Sequence, residues 1–278
     1  MLIAKNRLTT ATIFVVVIFI FLSSCTSVPI TGRKRIALLP SSNLATMALQ
    51  SYQTLLKKSK LSTDTVKTAS VKRVGARIAR AAEAFMKEEG LEAQLKNFKW
   101  EFNLIEDPKT INAFCMPGGK VAVYTGILPI AKDETGLAVI MGHEIAHAIA
   151  KHGNERMSQM LLVQLGGVAL DVALKNKPDE TKGMFMLAYG LGAQLGVLLP
   201  FSRTHESEAD HIGLILMARA GYDPVAAPSF WKRMSGIGGG KRPPQFLSTH
   251  PSPQKRVKKL QEMITEVRSK YYKKRARR

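Results

Sequence analysis

The chain has 278 residues, 45% of them hydrophobic, which is enough for one sizeable core and too few for a polytopic membrane protein. Its 41 basic residues against 21 acidic ones give a formal net charge of +20, an excess that favours anionic surfaces and is silent on fold. No zinc-finger spacing, helix-turn-helix pattern or aromatic-studded basic stretch accompanies that charge, so nucleic-acid binding is set aside in favour of a membrane-proximal setting.

At the N-terminus Lys5 and Arg7 precede an apolar run over residues 11–22, followed by small residues and Cys25. A charged start, a short apolar core and a small-residue exit describe a secretory signal, and about 12 residues fall short of the roughly 20 a spanning helix needs. The stretch Leu22-Ser23-Ser24-Cys25 resembles the lipobox of bacterial lipoproteins. That resemblance implies cleavage after residue 24 and a lipid on Cys25, which would anchor the protein to a membrane. Thr26 in place of an acidic residue points to the outer membrane of a bacterial cell envelope, facing the periplasm. Cys115 then has no partner within the chain and reads as a small core residue. The expected divisions are a signal peptide (1–24), a lipidated tether (25–42), a main domain (43–268) and a basic tail (269–278).

Within the main domain the pattern turns helical from about Asn43. Val71, Val74, Ile78, Ala81, Ala82 and Phe85 recur at threes and fours, and Gly90 can end that amphipathic helix. Phe98, Trp100, Phe102 and Leu104 alternate with polar residues at the strand period, and Pro117-Gly118-Gly119 turns into a second strand at Val121 and Val123. Residues 133–150 form a helix with Asp133 as its cap. Two apolar stretches follow, 160–174 and 184–201, the second without a charge. Gly190, Gly192 and Gly196, with Gln194 and Pro200, favour a buried helix there over a spanning one, with a cover or membrane-dipping segment as the alternative. Further helices run over about 204–220, from Pro224 after its Asp223 cap, and from Pro253 after Ser252.

The chemistry is carried by His143-Glu144-Ile145-Ala146-His147. Four residues advance a helix by about 400°, so His143 and His147 face one way and can grip one cation, with Glu144 about 100° round. A zinc ion there activates a water and polarises a scissile carbonyl, while Glu144 serves as the base. Apolar neighbours on both sides place these polar groups on a buried helix, where they would be costly without a partner. Ala150 and Gly153 exclude the metzincin arrangement. Projected on a continuing helix, His152 lies about 140° from His147 and reads as a helix-end cation. Glu206 and Asp210 are again four apart and share a face. They could complete the site, one as ligand and one orienting a ligand histidine, or form an exposed charged face. Glu208 points roughly opposite, His205 and His211 lie adjacent to that face but not on it and read as bystanders, and Arg203 either orients Glu206 or contacts substrate, or is an ordinary surface arginine.

His143-Glu-x-x-His147 followed by Glu206-x-x-Ala209-Asp210 resembles the gluzincin metallopeptidase family that includes the CAAX prenyl protease, HtpX and Oma (peptidase family M48). The likeness is greatest to its bacterial lipoprotein branch (BepA, LoiP). It extends from Val28-Pro-Ile-Thr-Gly-Arg33 through Asn112-Ala-Phe-Cys-Met-Pro-Gly-Gly119 and Val123-Tyr-Thr-Gly126 to His250-Pro251. The resemblance implies a mainly helical α+β, zincin-type (minigluzincin) domain. Its small sheet should have an edge strand, about 120–125, bordering the cleft and pairing with extended substrate. It implies one zinc ion per chain, Glu206 as third ligand, Asp210 as its acidic companion, and His250 as a reversible fourth ligand or oxyanion stabiliser. A loop histidine capping the last helix is the plainer reading of His250. The implied activity is a membrane-anchored zinc endopeptidase acting on misfolded or misassembled envelope proteins. A chaperone of outer-membrane protein assembly with latent, His250-gated proteolysis, partnered with the assembly machinery, is the alternative.

Overall fold

The computed structural model describes residues 25–237, 245–250 and 253–273. The expected signal peptide (1–24), most of the glycine-broken loop (238–244) and the end of the basic tail (274–278) lie outside the described residues. In chain order the strands are β1 (Cys25–Ser27), β2 (Lys34–Ile36), β3 (Glu101–Ile105), β4 (Ala113–Met116) and β5 (Lys120–Tyr124). The principal helices are α1 (Ser41–Lys58), α2 (Thr65–Glu88), α3 (Glu134–Ile149), α4 (His152–Ala173), α5 (Asp179–Ala193), α6 (Leu199–Arg219), α7 (Ala226–Ile237), α8 (Gln245–Thr249) and α9 (Pro253–Tyr271). Among the described residues, the span expected as one domain is shared between two compact units, 41–153 with the described part of 201–273, and 25–40 with 154–200.

The larger unit is built on the amphipathic helix read from the sequence. The Asp64 carboxylate accepts from the Lys67 amide at 3.0 Å and starts α2. Val71, Val74, Ile78, Ala81, Ala82 and Phe85 are all buried, and the left-handed Gly90 (φ 67°) follows the helix end. This helix lies so close to β3 that a Cβ on Gly75 would stand 2.3 Å from the Phe102 ring. The sheet has the order β3-β5-β4, with β3 and β5 parallel and β4 and β5 antiparallel. The strand expected at the edge, about 120–125, is therefore the central one. Val121, Ala122 and Val123 are buried on both faces, as a central strand requires. β4, joined to β5 through the left-handed Gly118 and Gly119, is the edge that packs against α3. Its adjacency to the turn hid it from a period-two reading, because only four residues of it are extended.

Helix α3 starts where Asp133 caps it, accepting from the Gly136 amide at 2.8 Å. It crosses α6 at a glycine pair: a Cβ on Gly142 would meet the Gly213 carbonyl oxygen at 2.9 Å, and one on Gly213 would meet the Gly142 carbonyl carbon at 3.0 Å. Neither helix could approach so closely with side chains at the crossing, and that approach brings the α3 histidines to the α6 carboxylates.

In the smaller unit the expected tether is folded. β1 and β2 form an antiparallel hairpin, with Cys25 opposite Ile36. Arg33 grips Glu155 of α4 with two bonds of 2.7 Å, and the Leu38 amide donates to Ser158 at 2.9 Å. α4 and α5 then form a helical hairpin. The buried helix expected over 184–201 is not buried: no residue of α5, or of the π turn Gln194–Leu198 that follows it, is enclosed.

Candidate metal centre

Helix α3 presents His143 and His147 one turn apart on a buried face, and α6 presents Glu206 and Asp210 opposite them. The His143 and His147 Nε2 atoms are 3.0 Å apart. Glu206 brings one oxygen to 3.5 Å of His143 Nε2 and the other to 3.3 Å of His147 Nε2. His250, from the end of α8, adds Nδ1 at 3.2 Å from His143 Nε2 and 2.9 Å from Glu206. Donor atoms of these four residues all lie within 4.8 Å of one another. A tetrahedral ion bonded at roughly 2.0–2.1 Å sets its donors about 3.3–3.4 Å apart, so this spacing and the nitrogen-rich donor set fit zinc.

The groups behind the donors fix their orientation. His143 Nδ1 lies 3.1 Å from an Asp210 oxygen. Donation to that carboxylate leaves the Nε2 lone pair facing the site. His147 is held by a longer chain: its Nδ1 is 2.8 Å from His152 Nδ1, and His152 Nε2 is 3.1 Å from Glu208. One set of tautomers satisfies the chain, with His147 Nδ1–H donating to His152 and His152 Nε2–H donating to Glu208. His147 Nε2 is then free to bind metal. Both His152 and Glu208 are buried. We therefore expect His152→Ala to weaken zinc binding about 10–100-fold, the usual cost of losing such an orienting partner. Competition with a calibrated zinc chelator checks this.

Electrostatically the centre is organised by Arg256, a buried cation from α9. Its guanidinium bonds both oxygens of Asp210 at 2.6 and 2.9 Å, reaches Glu206 at 2.9 Å and stacks 3.7 Å above the Trp231 ring. Burial alone would raise the Asp210 carboxyl, yet the Arg256 charge and the bond from His143 hold it below its ordinary value. Glu206 is likewise held low, the three histidines outweighing its burial. Burial and Arg256 push His143 down, but Asp210 and Glu206 outweigh them and raise it to about 9. Glu144 is shifted the other way: burial is the main cause of its raised pKa. It is buried beside the donors, with Oε1 at 3.4 Å from His250 Nε2.

The structure thus brings together His143, Glu144, His147, Glu206, Asp210 and His250. Cys115 is half-buried on β4, and its thiol is pushed up by burial first and by Glu144 second, which suits a neutral packing residue. His211 stays outside the cluster, while His205 stacks on His152 with ring centroids 4.4 Å apart. The reading of His152 as a helix-end cation is corrected. Lys151 takes a left-handed conformation (φ 53°) and breaks the helix, so projection along a continuous helix does not apply, and Glu208 points to His152 rather than away. Arg256 is a functional residue that the sequence patterns do not mark. Its signal in the sequence was only an arginine six residues after His250. The side chain of Cys25, expected to carry lipid, lies outside the described residues.

Residues 66–264 match Peptidase family M48. The chain is 43% identical over 182 residues to the mitochondrial metalloendopeptidase OMA1 of Schizosaccharomyces pombe, a stretch covering 63% of this chain and 50% of that protein. It is 31% identical over 246 residues to the mitochondrial metalloendopeptidase OMA1 of Homo sapiens (86% of this chain, 46% of that protein). To the beta-barrel assembly-enhancing protease of Escherichia coli it is 30% identical over 177 residues (61% and 35%). The chain spans about half the length, or less, of these curated relatives. The expected placement as a lipoprotein of a bacterial outer membrane is overturned by the relatives of higher identity, which are named mitochondrial. The lipobox likeness rests on four residues, whereas these identities run over most of the folded chain. A matched span of 66–264 that contains all six clustered side chains shows that the chain belongs to peptidase family M48.

Proposed function

We propose that the chain is a zinc-dependent endopeptidase that cleaves extended segments of misfolded or misassembled proteins. The observation that carries this reading is the convergence of His143, His147 and Glu206 donors with a buried carboxylate, Glu144, beside them. When bound, zinc would supply Lewis acidity to the scissile carbonyl and lower the pKa of water towards neutrality. The chain's own residues do the rest. Glu144 takes the proton of the attacking water on its carboxylate and passes it to the leaving amine, and burial raises its pKa towards the range useful for that transfer. Asp210 and His152 keep the two imidazoles oriented. β4, an edge of the sheet packed on α3, offers backbone groups with which an extended substrate can pair. Cleavage of unfolded casein, compared between the wild type and Glu144→Gln, tests the reading; equal cleavage by the two would defeat it.

A second reading is favoured by one observation, the position of His250. With Nδ1 against Glu206 and Nε2 towards Glu144, it closes the side of the site where substrate would meet the base. On this reading the peptidase is latent until His250 withdraws, and binding of unfolded chains can dominate over cutting. We expect His250→Ala to raise casein cleavage, about tenfold for each ~1.4 kcal/mol by which closure is favoured. A fall of about 10²–10³ would instead assign His250 to oxyanion stabilisation.

A further inference from the structure

The α4–α5 hairpin has a surface that water does not favour. Residues 184–201 carry no charged side chain, and the helix they belong to is long and apolar enough to cross a membrane while none of its apolar window is buried. Leu187, Leu191 and Leu195 are 66%, 51% and 64% exposed, and Met160, Leu165 and Val172 on the facing arm are 56%, 55% and 67% exposed. Covering six such side chains is favourable in proportion to the apolar area removed from water. A helix apolar all round belongs inside protein or inside lipid, and within the described residues no protein covers this one.

The polar groups of the hairpin indicate which. The Tyr189 hydroxyl donates to the Val163 carbonyl at 2.7 Å across the two arms. Its ring passes where a Cβ on Gly166 would stand 2.2 Å from the hydroxyl oxygen, the small-residue close approach that helix pairs adopt in lipid. Asp171 is the one charged residue in 160–174, and it pairs with Lys182 at 2.8 Å. Hydrocarbon, unlike water or a polar partner surface, requires such internal satisfaction. At 1.5 Å per residue, residues 184–201 extend about 27 Å, close to the ~30 Å thickness of a bilayer core. Lys175 and Lys177 at the turn between the arms, in a chain of net charge +20, suit anionic headgroups.

We propose that the α4–α5 hairpin inserts into the hydrocarbon of an anionic lipid bilayer. The test uses the full chain with vesicles of phosphatidylcholine and phosphatidylglycerol bearing a photoreactive diazirine in the acyl chain, with adducts located by peptide mass spectrometry. The expected result is labelling within 160–174 and 184–199. A double variant, Leu187→Asp with Leu195→Asp, should lose that labelling about 100-fold or more, the scale set by carrying two carboxylates into hydrocarbon, while zinc content and helicity stay unchanged. Labelling confined to residues 11–22, or no labelling because the hairpin is covered by a second copy in a lipid-independent dimer, overturns the proposal. The wild-type map decides between these outcomes even if the double variant does not fold.

Discussion

Glu144→Gln is expected to lower casein cleavage by about 10²–10⁴-fold, the range general-base catalysis supplies, while the zinc content stays at that of the wild type. The two halves of this expectation come from different geometry. Glu144 is not among the residues whose donors converge on the site, so converting it to an amide removes no ligand. It is, however, buried beside them and its carboxyl is raised by burial, which is the setting of a proton acceptor rather than of a solvated surface acid. An amide of the same shape keeps the packing and cannot take a proton. Activity assays on zinc-quantified protein separate the two effects. Loss of zinc together with activity would mean that Glu144 is a structural member of the centre.

The largest stability effect is expected at Arg256. Its guanidinium is buried against Asp210 and Glu206, so Arg256→Met leaves two buried carboxylates without their cation. Breaking a buried pair in this way costs about 3–5 kcal/mol, or roughly 6–20 °C in Tm for a unit of this size. Arg256→Lys should recover only part of this, since an ammonium cannot hold both Asp210 oxygens and lie flat on Trp231. The pH dependence follows from the same groups. Asp210 and Glu206 are held below their ordinary values in the folded protein, so the unfolded chain binds more protons as the pH falls. Their contribution to stability is present above about pH 4 and is lost on acidification below it. Denaturant unfolding of the metal-stripped proteins should therefore show the Arg256→Met deficit in full at neutral pH and a narrower gap below about pH 4. A deficit independent of pH would assign the loss to packing against Trp231 alone.

Much of the centre was legible because it is written at helical spacing. His143, Glu144 and His147 lie within five residues on one capped helix, and Glu206 and Asp210 on another, so elementary projection places each pair on a face. What projection cannot supply is how two helices meet. Gly142 and Gly213 set that distance, and neither stands out in a sequence with 21 glycines. Projection fails at His152 for a related reason: the backbone turns at Lys151, and a left-handed lysine has no signature in composition. Arg256 reaches Asp210 across 46 residues, a separation at which spacing carries no information. In the sheet, the family resemblance implies an edge at about 120–125, whereas Val121, Ala122 and Val123 in unbroken succession is the mark of a strand covered on both faces. The apolar run 184–201 is legible for what it contains but not for what surrounds it, since composition is the same for a helix in a core and one in lipid.

The proposed chemistry requires one metal ion held by His143, His147 and Glu206. Its most direct test is the zinc content of the purified full chain by inductively coupled plasma mass spectrometry, set against that of His147→Ala. One zinc per wild-type chain and nearly none in the variant is the predicted result; a wild-type chain without zinc, or a variant that retains it in full, would contradict it.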